Sequence, residues 1–107
     1  MAIAHAASGE VIHLVGPTST AGERPSVALF KGVELEVLRM SVAKHKQIPK
    51  HHAAGELTLQ CLSGSVEVSL EDTKRELREG DLLYLKAGTE HALRGLEDAL
   101  LLLTIAV

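Results

Sequence analysis

From Val27 onward, apolar and polar positions alternate in short runs separated by turn residues. The runs are Val27 to Lys31, Leu35 to Val42, Leu57 to Leu62, Ser65 to Leu70, Lys74 to Arg78, Leu82 to Lys86, His91 to Arg94 and Leu100 to Ala106. The clearest is Ser65 to Leu70, which sets Val66, Val68 and Leu70 on one face and Glu67 and Ser69 on the other. That period of two is the mark of a half-buried strand. Between runs stand Ser63-Gly64, Glu71-Asp72-Thr73 and Glu79-Gly80-Asp81, residues that suit tight turns. No stretch sustains a helical period with caps, so the pattern predicts an all-β sandwich or barrel.

Residues 1–24 read differently. They are rich in Ala, Ser, Gly and Thr, with one strand-like piece from Val11 to Val15 that Gly16-Pro17 closes. The expected organisation is an N-terminal segment over 1–24 and one barrel domain over 25–107. Lys44-His45-Lys46 and Lys50-His51-His52, with Pro49 between them, read as a solvated basic loop. Leu100 to Leu103 is apolar at four consecutive positions, which calls for burial of both faces of that strand. A second copy of the chain could cover the outer face, so a homodimer is expected; the alternative cover is the N-terminal segment.

Composition narrows the function classes. With 11 basic and 14 acidic residues in 107, the net charge of -3 gives no electrostatic footprint for nucleic acid. Phe30 and Tyr84 are the two aromatics, too few for base-stacking platforms. The single cysteine, Cys61, excludes an intrachain disulfide and a Cys-rich zinc module. The apolar run from Ala99 to Val107 is far short of the roughly 20 residues a membrane-spanning helix needs. The first residues lack the basic and apolar regions of a signal peptide, so the expected location is cytoplasmic.

Gly80-Asp81-Leu82-Leu83-Tyr84-Leu85-Lys86-Ala87-Gly88-Thr89-Glu90-His91 has turn glycines at both ends of a strand and places His91 at the start of the next one. This segment resembles the second motif of the cupin superfamily, in which a proline stands where Lys86 does here. The first cupin motif is matched in part. Counted back from Gly64, its two histidine positions hold His51 and Ala53, and its glutamate position holds Leu57. The resemblance spans about Val33 to Thr104 and implies a single-domain jelly-roll barrel, the double-stranded β-helix.

The resemblance also implies a divalent metal (Fe, Mn, Ni or Zn) held by histidines and a carboxylate inside the barrel. In this sequence His51 and His91 match those positions, which makes a partial site. A second register, His52 with Glu56 and His91, would give two histidines and one carboxylate. Adjacent strand residues face opposite ways, so His51 and His52 cannot both point inward unless a bulge intervenes. His51 is the expected inward residue, on the face of Leu57 and Leu59, with Gln60 outward. Cys61 shares the inward face and is a further candidate ligand; as a buried small hydrophobe it needs no such role. The expected function is small-molecule binding in the barrel, with a metal at this partial site. The alternative is a metal-free sensor or accessory protein that binds a mostly apolar ligand.

Overall fold

The structure is a computed structural model, and it describes residues 5–14 and 26–107. Nine strands follow one another in the described chain: β1 (Val27–Lys31), β2 (Leu35–Val42), β3 (Gln47–His51), β4 (Leu57–Ser63), β5 (Ser65–Ser69), β6 (Lys74–Arg78), β7 (Leu82–Leu85), β8 (His91–Gly95) and β9 (Ala99–Ala106). They form two antiparallel sheets. The five-stranded sheet has the order β1-β2-β9-β4-β7 and the four-stranded sheet β3-β8-β5-β6. This is the all-β jelly roll that the alternating pattern and the turn glycines predict.

The two sheets face each other across a core of aliphatic side chains. Val42, Leu59, Val66, Val68, Leu101 and Cys61 are fully buried, and Leu57, Leu77, Leu85, Leu93 and Leu103 are nearly so. Alternation explains the selection: Val66 and Val68 enter the core, while Glu67 and Ser69 on the same strand lie on the outer face. Cys61 and the Leu57-Leu59 face point inward as expected, and Gln60 pairs with Leu82 and Leu102 on the outer side. The barrel axis is thus occupied by side chains.

Gly64 shows how the hairpin between β4 and β5 is closed. Its φ of +76° is left-handed, and a Cβ there would lie 2.0 Å from the Asp98 carbonyl oxygen. Only glycine accepts both constraints. Gly80 and Gly88, at φ +92° and +77°, turn the chain on either side of β7. That second turn delivers His91 to the start of β8.

Three expectations need correction or restriction. Gln47–His51 is a strand, not a loop, although it carries Pro49; it is the edge of its sheet, where a missing N–H is tolerated. The piece from Val11 to Leu14 forms no strand, and Val15 lies outside the described residues, as does most of the boundary near residue 24. In β9, Leu100 is already buried within one chain and Leu102 is half-buried, so the apolar run does not by itself require a second copy. What covers part of the five-stranded sheet's edge is visible: the Ala6 amide donates to the Leu29 carbonyl of β1. The described residues contain no helix long and apolar enough to cross a membrane.

Candidate metal centre at the barrel mouth

His51 ends β3 and His91 begins β8, and the antiparallel register sets the two directly opposite each other. Their ring centroids are 4.3 Å apart, with planes inclined by 56°. His91 is only 2% exposed, whereas His51 lies over it at the rim and meets solvent.

Each ring is anchored in the same way. Nδ1 of His51 lies 2.9 Å from the carbonyl oxygen of Pro49, and Nδ1 of His91 lies 3.0 Å from that of Thr89. A carbonyl only accepts, so both Nδ1 atoms must carry the proton. In the neutral ring this leaves Nε2 as a bare lone pair, and the hydrogen bond at Nδ1 raises its basicity. Thr89 is itself fixed, because its amide and its hydroxyl both donate to the Lys86 carbonyl. Burial holds His91 below the usual imidazole range. The Thr89 carbonyl opposes that shift, and His51 and His52 add to it by charge repulsion. His91 therefore stays neutral, the form that binds metal.

The other candidates go elsewhere. His52 follows β3 and is exposed, near enough for its charge to be felt at His91. The Glu56 carboxylate accepts a hydrogen bond from the Tyr84 hydroxyl, on the outer side of the five-stranded sheet. That bond holds the phenol above its ordinary pKa. The triad of His52, Glu56 and His91 is not assembled, because Glu56 is engaged outside the barrel. Cys61 lies at the far end of β4, beside the Gly64 hairpin. Its thiol faces the carbonyls of Ser63 and Gly64 at 3.4 and 3.5 Å. Burial, with Asp81 and Glu79 nearby, pushes that thiol up, so it stays protonated and is a poor ligand.

Among the described residues, no three His, Cys, Asp or Glu side chains come together to hold a metal. The donor chemistry nevertheless fits a divalent transition metal as a two-imidazole centre, with the remaining positions left to water or a chelating molecule. Sequence reasoning missed the two carbonyls that orient the rings. Their role depends on the path of the backbone, and no residue type announces it.

Comparison with known proteins agrees with the fold. A protein of Streptococcus pyogenes of unknown function superposes with a TM-score of 0.78 at 22% identity, over 99% of this chain and 94% of that one. An RmlC-like cupin protein of Desulfovibrio desulfuricans gives 0.77 at 20% identity, over 91% and 96%. At these identities the likeness concerns the fold alone. An uncharacterised protein of Aquifex aeolicus (strain VF5) is 36% identical over 62 residues, covering 58% of this chain and 51% of that relative. The matching stretch thus spans about half of that relative's length. Residues 38–106, well over half of the chain and everything from within β2 to the end of β9, match the cupin domain, and the protein belongs to the cupin family.

Proposed function

We propose that the protein holds a divalent transition metal at the mouth of its barrel through Nε2 of His51 and Nε2 of His91, and that a small chelating molecule completes the coordination. The observation that carries this reading is the pair of Nδ1 hydrogen bonds to Pro49 and Thr89, which leaves both Nε2 atoms as lone pairs on neighbouring rings. A metal bound there would supply Lewis acidity or redox chemistry, according to its identity among Fe, Mn, Ni and Zn. The chain's own part is to keep the buried His91 imidazole neutral, fix the tautomer of both rings and leave one side open to solvent at His51. Two protein ligands hold metal less firmly than three or four, which makes the co-ligand part of the affinity.

The competing reading is a metal-free barrel that takes an apolar ligand inside. The packed interior of Leu59, Leu101, Val66 and Val68 would have to open for it. The test is metal content by plasma mass spectrometry on protein purified without chelator, joined to calorimetric titration with Ni²⁺ or Zn²⁺. Wild type is expected to take up about one ion per chain, and His51→Gln and His91→Gln to weaken it at least about tenfold. Failure to bind any of the four metals after reconstitution, or binding that survives both substitutions, overturns the proposal. A melting temperature raised by an apolar ligand in metal-free protein would then favour the competing reading.

A further inference from the structure

The pairing of β3 with β8 contains an irregularity whose arithmetic decides which side chain meets His91. Gln47 stands opposite Arg94 and Ile48 opposite Leu93, yet the next pair is His51 opposite His91. Two residues of β3, Pro49 and Lys50, therefore span the single Ala92 of β8. An unbroken ladder would continue with Pro49 opposite Ala92 and Lys50 opposite His91. Side chains alternate along a strand, so His51 would then leave the inward face, and an ammonium group would sit over the buried imidazole.

We infer that Pro49 is the positioning residue of the histidine pair: it breaks the ladder, sets the register that brings His51 rather than Lys50 against His91, and orients the His51 ring through its carbonyl. Proline has no N–H to donate, so the ladder is interrupted most cheaply where it stands. The extra residue restores inward parity at His51, three positions after inward-facing Ile48. The carbonyl of Pro49 takes the Nδ1 proton at 2.9 Å. Lys50 is directed outward, where its ammonium lies 3.8 Å from the Glu90 carboxylate. One residue thus governs the register, the tautomer and the exclusion of a cation from the site.

The inference rests on the metal reading for its purpose, but its first readout needs no metal. Long-range ¹H–¹⁵N spectra of chelator-treated protein report the tautomer of each imidazole, and ring-to-ring NOEs report the contact of His51 with His91. In Pro49→Val the restored N–H allows a regular ladder. The NOE and the Nδ1–H form of His51 are expected to be lost, and Ni²⁺ affinity to fall about 10- to 100-fold. Deletion of Pro49 should behave differently, because it removes the extra residue together with the carbonyl. His51 then remains opposite His91 in a regular ladder, so the NOE persists while the Nδ1–H preference disappears.

Both variants are expected to fold, since β3 contributes only Ile48 to the core. Retention of both signals in Pro49→Val, or separation of the rings in the deletion, overturns the inference. Absence of metal binding in a wild type that shows both signals overturns the proposed function and leaves this one standing.

Discussion

Acidification should destabilise the metal-free protein through one identifiable group, the buried imidazole of His91. Its pKa in the folded state is depressed, chiefly by burial and further by the charges of His51 and His52, against the opposing Thr89 carbonyl. In the unfolded chain an imidazole titrates near about 6.5. Between the folded and unfolded values the unfolded state binds more protons, so stability rises with pH there. The contribution of His91 is fully present above about pH 6.5 and is lost as the pH falls toward its depressed folded value. The slope for one group is at most about 1.4 kcal/mol per pH unit. Urea denaturation in chelator at pH 7.5, 6.5 and 5.5, for wild type and His91→Gln, isolates the effect. The stability difference between the two should shift against wild type by up to about 1.4 kcal/mol from pH 7.5 to 5.5. A difference that stays constant, or that moves in favour of wild type on acidification, would refute the assignment of His91 as a buried neutral ring.

Two further outcomes follow from the structure. Gly64→Ala imposes a left-handed conformation and a Cβ in contact with the Asp98 carbonyl; a loss of about 2–5 kcal/mol is expected in thermal or urea melts. Glu56→Gln and Cys61→Ala should leave Ni²⁺ affinity within about twofold of wild type, because Glu56 is bound to Tyr84 outside the barrel and the Cys61 thiol sits at the far end of β4. Calorimetric titration decides this, and a tenfold loss in either variant would place that residue among the ligands.

The strands flanking the site were legible because burial is periodic. Val66 and Val68 alternate with Glu67 and Ser69, and Gly80 and Gly88 mark the turns around β7, so the arrival of His91 at a strand start could be read directly. β3 was not legible. Gln47, Pro49, Lys50 and His51 carry the composition of a loop, and the strand is held by pairing with β8, a tertiary contact that no local pattern encodes. The inward direction of His51 could be reasoned from the Leu57 face, yet the device that achieves it is the extra residue in β3. Whether His51 or His52 faced the barrel depended on that one residue. The diversion of Glu56 to Tyr84 was hidden for a similar reason, since the two are 28 residues apart in sequence and meet only through the pairing of β4 with β7.

The irregular strand also bears on how the molecule behaves in a crowded solution. A sheet ending in a straight, apolar strand offers a row of free N–H and C=O groups to any passing chain. Here β3 is interrupted at Pro49, β1 shifts register between Ala28 and Phe30, β6 carries Lys74, Arg75, Glu76 and Arg78, and β7 is only four residues long. Each sheet end is thus a poor template for strand addition. Straightening β3 would therefore remove two safeguards at once: the orientation of a histidine ring, and a barrier to edge-on growth into aggregates.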